Sequence, residues 1–424
     1  LDWDEGPVHQ ADGLEQHRAD ARTLLEGGRA YRCFCTAAEL DERRAAHPDG
    51  PAAFRYDRRC ARIPADDAAR RAEGGEAHTL RFLVPPGSTR WTDAVHGEIA
   101  FDNADIEDFI VLRSDHTPIY NMAVVSDDVA MRITHVIRGD DHISNTPKQI
   151  LLYEALGAPT PTFVHVPMIL GPDGKRLSKR HGATAVGEYE LQGILPDAMV
   201  NFLALLGWSP GTDEEIFSRD ELVARFSLDG INRKSAIFDT QKLEWMNGRY
   251  LAEMPADMLV PRLRAVLTDD TRDDDWWRDL ATLLRVRART IPDMIAQARP
   301  FIGDAVEYDD AAVAKHWKDP HATADRLERM ATLFRDLPEF EEQAMEEQLR
   351  ALAESLGMGA GKLIHPLRVA LTGQAASPGI FEVARLLGFD AVLEHGLDCV
   401  ASRDFALEAI AAAAQLALTL SRFA

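Results

Sequence analysis

The chain changes texture near residue 118 and again, most sharply, near residue 186. Before that point short β-rich runs alternate with helical periods, and after it the pattern is almost wholly helical. A chain of 424 residues is also too long for one hydrophobic core. The combination predicts an α/β part followed by an all-α part, with two to four domains. Alternation predicts strands at 80–84, 99–101, 109–112, 119–125, 133–137 and 163–169. Helical spacing predicts helices at 14–25, stopped by Gly27-Gly28, and at 146–155. Strand, helix and strand between 133 and 169 read as the end of a parallel sheet. Later helices are predicted at 198–206, 283–298, 322–334 and 341–356, with an acidic boundary at 268–275.

Several function classes drop out on composition. No run of 18 apolar residues lacks charge, and the Ala-rich stretch 405–420 reads as a packed helix. Four cysteines do not make a disulfide framework, and no secretory signal is present, so a cytoplasmic home is expected. The net charge of −22 argues against wholesale nucleic-acid binding but leaves room for one basic face. Two local clusters could form such a face. One is Arg55, Arg58, Arg59 and Arg62, and the other is Arg285, Arg287 and Arg289.

The sharpest motif is Gly171-Pro172-Asp173-Gly174-Lys175-Arg176-Leu177-Ser178-Lys179-Arg180-His181-Gly182. Pro-Asp-Gly is turn chemistry, and four cations then fall within six residues between glycines. Such a loop can grip a triphosphate and meet charge that develops on its oxygens. The spacing of a Walker loop is absent. A plain basic surface loop has the same composition.

Arg176-Leu177-Ser178-Lys179-Arg180 resembles the KMSKS signature of class I aminoacyl-tRNA synthetases, in the form found in bacterial-type glutamyl enzymes. Arg176 stands where that form usually has Lys, which keeps the charge but changes its shape. Tyr120-Asn121-Met122-Ala123-Val124-Val125-Ser126-Asp127-Asp128 resembles a strand of the same family. So do the blocks Ile133–His142, Thr146–Gln149, Phe238–Asn247 and Pro366–Gly373, in order along the chain. The resemblance implies an incomplete Rossmann-type catalytic domain with an inserted α+β acceptor-stem domain. Helical connecting and helical-bundle anticodon-binding domains would follow. The segments would be 1–30, 31–115, 116–185, 186–255 and 256–424.

The family's reaction activates L-glutamate with ATP and Mg2+ as glutamyl-adenylate, then transfers it to the 3′ end of tRNA(Glu). The enzyme is expected to be a monomer without membrane partners. On this resemblance Lys179, Arg176 and Ser178 form the catalytic loop, and Lys179 contacts the ATP phosphates. His165, Met168 and Asp141 would border the nucleotide. Arg138, just after a strand, would hold the glutamate carboxylate, with Tyr120 and His142 lining the pocket. Arg285, Arg287 and Arg289 would face tRNA.

Cys33-x-Cys35, Tyr56 and Cys60 match a Cys-x-Cys…Tyr-x3-Cys zinc pattern of some members. A second version of that site needs histidine at 62, where Arg62 stands, and Arg has no lone pair to give. A structural Zn2+ is therefore expected, with three free thiols as the alternative.

The family's His-Ile-Gly-His signature does not occur; the first histidine is His9, in Pro7-Val8-His9-Gln10. The segment Leu1–Pro7 resembles a stretch well inside the family's first domain. The expectation is a chain that begins late and is inactive in adenylate formation by itself. Three rivals follow: a tRNA-binding fragment without catalysis, the relative that glutamylates queuosine on tRNA, and the glutaminyl enzymes. The queuosine relative lacks the helical region that continues here past Leu251, and glutaminyl enzymes carry β-barrels where this C-terminal half shows no alternating strand pattern.

Overall fold

A computed structural model describes residues 4–178, 185–268, 272–302 and 306–393. The chain forms two compact units. One comprises Leu1–Leu177, Ala204–Glu214 and Glu221–Phe238, and the other Ser178–Leu203, Glu215–Asp220 and Asp239–Ala424.

The first unit opens with helix α1 (Leu14–Glu26), which buries His17, Ala21 and Leu24 on one face. It ends as expected at Gly27, and Gly28 takes a left-handed φ of 68° that favours glycine. Strand β1 (Ala30–Cys33) follows, then α2 (Ala37–Ala45) and α3 (Ala65–Glu73). Strand β2 (Thr79–Phe82) pairs antiparallel with β1 on one side. On its other side β2 pairs with β5 (Ile110–Leu112). Between them β3 (Ser88–Asp93) and β4 (Gly97–Asp102) form a hairpin. In β3 burial alternates strictly, so Thr89, Trp91 and Asp93 point inward while Ser88, Arg90 and Thr92 point out.

The run at 119–125 is not a strand. Residues Tyr120–Met131 form helix α4, and α4 packs on α1 and on α5 (Thr146–Ala155). A short apolar run cannot by itself separate a buried strand from a buried helix. What decides here is that α4 buries Met122 and Val125 while bonding polar groups outward. Asn121 accepts from Gln149, Ser126 donates to Asp20, and Asp128 accepts from Tyr153. Helix α5 spans the residues predicted for it. Strands β6 (His135–Gly139) and β7 (Thr162–Val166) flank it and pair in parallel, completing the expected strand–helix–strand unit. Pro167 lacks an N–H and closes β7, so the predicted strand at 163–169 is split. The two-residue β8 (Ile169–Leu170) then pairs in parallel with β9 (Ala236–Ile237).

The second unit is helical over most of its described length. Five of its helices start on carboxylate or hydroxyl caps: Asp239, Asp273, Thr290, Asp309 and Asp319 each accept a backbone N–H. Part of the chain's acidity is thus spent on helix starts. The core is built from Leu259, Trp277, Leu284, Leu327, Met330, Phe334, Leu367 and Ala370. The single helix expected at 283–298 is two, Asp274–Arg285 and Ile291–Ala298, interrupted over 286–290, where Thr290 caps the second and Pro292 stands in its first turn. The acidic boundary expected at 268–275 instead leads straight into the first of them; 269–271 lie outside the described residues, as does the Ala-rich stretch 405–420. No helix among the described residues is long and apolar enough to cross a membrane.

Candidate active site and metal centre

Arg138 lies within β6, near its C-terminal end, rather than beyond the strand. Its register partner across the parallel ladder is His165 on β7, so the two side chains share one face. Arg138 Nε donates to His165 Nε2 at 3.3 Å, and Nη2 donates to Thr146 Oγ1 at 2.8 Å. Thr146 is the first residue of α5, fully buried, and its Oγ1 lies 3.0 Å from His165 Nε2. The guanidinium also lies over the Phe163 ring, 5.4 Å from its centroid. Three elements therefore fix the fork.

His165 is 0% exposed. Its Nδ1 meets Asp93 Oδ2 at 2.5 Å, with both side chains fully buried. Asp93 Oδ1 accepts in addition from the N–H groups of Val95 and His96, each at 3.0 Å, at the turn of the β3–β4 hairpin. Because Nε2 accepts from Arg138, the ring proton belongs on Nδ1. Burial pushes the imidazole below its ordinary pKa; Asp93 opposes this and Arg138 reinforces it. Burial raises Asp93, but the His165 hydrogen bond and the turn N–H groups outweigh it and hold the carboxyl below its usual range. His165 is therefore a neutral, enclosed ring. Both ring nitrogens are engaged inside the protein, Nδ1 with Asp93 and Nε2 with Arg138 and Thr146.

The other predicted pocket residues do meet. Tyr120, 47% exposed, brings its hydroxyl to 3.5 Å from His142 Nδ1 and its ring centroid to 5.9 Å. Its phenol also interacts with Arg138. Asp141, on the turn after β6, forms a 3.2 Å ion pair with Arg176. A side chain at Gly139 would meet Asp141 Oδ1 at 2.6 Å, so glycine makes room for that carboxylate. Met168 is half-buried just after Pro167.

The predicted Pro-Asp-Gly turn is present. Lys175 N–H donates to Asp173 Oδ1 at 3.0 Å, and Gly174 has φ 71°. A bridge between Leu170 and Arg176 folds the loop entry back on β8. Ser178 is half-buried; Lys179 lies outside the described residues, with the rest of the motif to 184.

The cysteine set converges. The sulfurs of Cys33, Cys35 and Cys60 all lie within 4.8 Å of one another. Cys35 and Cys60 are 3.6 Å apart, and Tyr56 Oη sits 3.3 Å from Cys33 Sγ and 3.7 Å from Cys35 Sγ. Ligands at about 2.3 Å around a tetrahedral zinc are separated by about 3.8 Å, so this donor set fits. Sequence reasoning missed its supports. Arg81, buried in β2, donates to Cys33 Sγ at 3.3 Å and to the Asp108 carbonyl at 2.9 Å. Asp108 in turn takes Tyr31 Oη, Arg58 Nη2 and Val84 N. Burial raises the Cys33 thiol, yet bonds from Tyr56, Arg81 and the Cys35 backbone bring it below its ordinary value. Cys35 is pushed up to about 11, chiefly by burial.

The three arginines expected to face tRNA do not share one helix. Arg285 ends the helix Asp274–Arg285 and donates to the Met254 carbonyl at 2.5 Å. Arg287 donates to the Ser377 carbonyl at 2.8 Å, and Arg289 is exposed ahead of the next helix. A patch that the sequence did not flag lies in the same unit. His316 stacks on His365 at 4.8 Å, and Arg368 lies 3.2 Å from His365 Nδ1. Burial, then His365, Lys315, Arg368 and Lys318, lower His316.

The catalytic domain of class I tRNA synthetases (E and Q) matches residues 1–245, and an anticodon-binding domain matches 253–395. The chain belongs to this class I tRNA-synthetase family. Among its relatives, "Glutamate--tRNA ligase 2" of Koribacter versatilis is 45% identical over 395 residues, 92% of this chain and 82% of that protein. "Glutamate--tRNA ligase" of Moorella thermoacetica is 44% identical over 414 residues, 93% of this chain and 84% of that one. A crystal structure of a glutamate tRNA ligase from Elizabethkingia meningosepticum, in complex with its amino acid, superposes with a TM-score of 0.83. It is 27% identical and covers 94% of this chain and 84% of its own.

Proposed function

We propose that the surface around Arg138 receives the α-carboxylate of L-glutamate and that the chain acts as a glutamate–tRNA ligase. The observation that carries this reading is the Arg138 fork, held from behind by His165 and Thr146 beside Tyr120 and His142. A planar, pre-aimed fork suits bidentate carboxylate recognition.

The reaction begins when the glutamate α-carboxylate attacks the α-phosphorus of ATP. Pyrophosphate leaves with the electron pair, and the tRNA 3′-terminal hydroxyl then displaces AMP. The substrate is its own nucleophile, so the protein's work is positioning and charge stabilisation. ATP arrives with Mg2+, which offsets phosphate charge when bound. Arg176 and Lys179 bring cations from the loop, Asp141 anchors Arg176, and Met168 borders the nucleotide. The anticodon-binding region supplies tRNA affinity. A zinc ion held by Cys33, Cys35, Tyr56 and Cys60 would brace the fold around 31–62 and take no part in the chemistry. The proposal includes a cytoplasmic monomer and the five-segment division expected from the sequence.

The test is ATP–pyrophosphate exchange with tRNA present, run with glutamate, glutamine or aspartate. Exchange with glutamate alone is the expected result; exchange with glutamine in preference would overturn it.

A further inference from the structure

We infer that Asp93 and His165 form a relay that positions Arg138 without neutralising it; this rests on Arg138 being the carboxylate receptor. An arginine that must attract a substrate carboxylate has to be aimed, and the simplest aiming partner is another carboxylate. A carboxylate in direct contact would cancel the charge that the substrate is meant to feel. The structure interposes a ring. Asp93 lies one residue further back and contacts His165 Nδ1, while His165 Nε2 accepts from Arg138 Nε. The imidazole thus passes on orientation as a neutral acceptor and keeps the negative charge remote.

The placement follows from the backbone. Parallel register sets His165 directly beside Arg138, and the alternation of β3 turns Asp93 inward toward β7. The backbone N–H of Ala94 donates to the Phe163 carbonyl at 3.0 Å, tying the hairpin to the strand that carries His165. Neither Asp93 nor His165 reaches solvent, so neither touches a substrate. Both are positioning residues. Thr146 completes the clamp from α5 and leaves the outer edge of the fork toward Tyr120. The hairpin lies 72 residues before His165, so a change in the inserted region would be felt in amino-acid affinity.

The experiment compares variants of the whole gene product by glutamate-dependent pyrophosphate exchange and by calorimetric glutamate binding. His165→Gln keeps an acceptor near the Nε2 position. His165→Asn keeps a donor toward Asp93 but withdraws the acceptor from Arg138. The Asn variant, and a His165→Leu variant that removes both polar atoms, are expected to weaken glutamate binding about tenfold, the scale for one hydrogen bond to a charged group. The Gln variant should stay within about threefold, and KM for ATP within about twofold, in all of them. Asp93→Asn should move the same glutamate parameter in the same direction. Should His165→Leu not fold, the Gln and Asn pair decides. An Arg138→Ala variant separates the two levels of the argument. If it leaves glutamate affinity unchanged, the receptor reading fails. If it weakens binding while His165→Asn does not, the relay fails. Equal changes in the glutamate and ATP constants of the His165 variants would also overturn it.

Discussion

At the scale of single residues, Arg138 and His165 make the sharpest claims. Lysine at 138 would keep the charge but not the fork that meets His165 and Thr146 together. Arg138→Lys is therefore expected to raise KM for glutamate about tenfold or more while kcat changes less, as read from exchange kinetics. The buried ring also sets a pH dependence. His165 faces Asp93, Arg138 and His96, and burial first of all keeps its folded pKa below its ordinary value. The folded state thus binds fewer protons than the unfolded one in the window below about pH 6.5, so stability is full above that window and falls as pH drops into it. Urea titrations at about pH 7.5 and about pH 5.5 should show this loss, and His165→Gln should show less of it. Arg138 was legible in the sequence because its block Ile133–His142 is continuous. Asp93 was not, because its role arises only when a hairpin packs beside β7.

At the scale of elements, the stretch 119–131 shows where pattern reading ends. Its apolar run fits a strand or a buried helix, and the packing of α1 and α5 decides for the helix. Strand β6, helix α5 and strand β7 were legible because each carries its own period. The cluster of Cys33, Cys35, Tyr56 and Cys60 was legible only as ligand spacing; the support from Arg81 and Asp108 needed the folded sheet. Purified, reduced protein is expected to carry about one zinc per chain. Cys60→Ala should lower that content and expose 31–62 to protease, since structural zinc contributes folding energy directly. Metal-free native protein with an ordered cluster would contradict this. Gly373 ends the helix Gly361–Thr372 with φ 69°, and a Cβ there would lie 1.9 Å from the Glu307 carbonyl oxygen. Gly373→Ala should cost about 2 kcal/mol or more in a urea unfolding experiment.

At the scale of the whole molecule, a chain of net charge −22 binds a polyanion by grouping its cations. Arg287 and Arg368, with Lys315 and Lys318 beside His316, form such a group in the helical unit, while Asp239, Asp273, Asp309 and Asp319 sit at helix starts. The paired variant Arg287→Ala with Arg368→Ala should weaken tRNA binding and flatten its salt dependence, which filter binding at two salt concentrations would read. Motif order along the chain made the family legible, whereas this patch was not, since its members are spread from 287 to 368 in sequence. The account rests most on one reaction, the charging of tRNA with glutamate. Labelled glutamate, ATP and tRNA incubated with the whole gene product should give acid-precipitable glutamyl-tRNA. Arg138→Ala should reduce its rate by about tenfold or more at low glutamate. Binding of tRNA without any glutamate transfer, or transfer that is indifferent to Arg138, would contradict it.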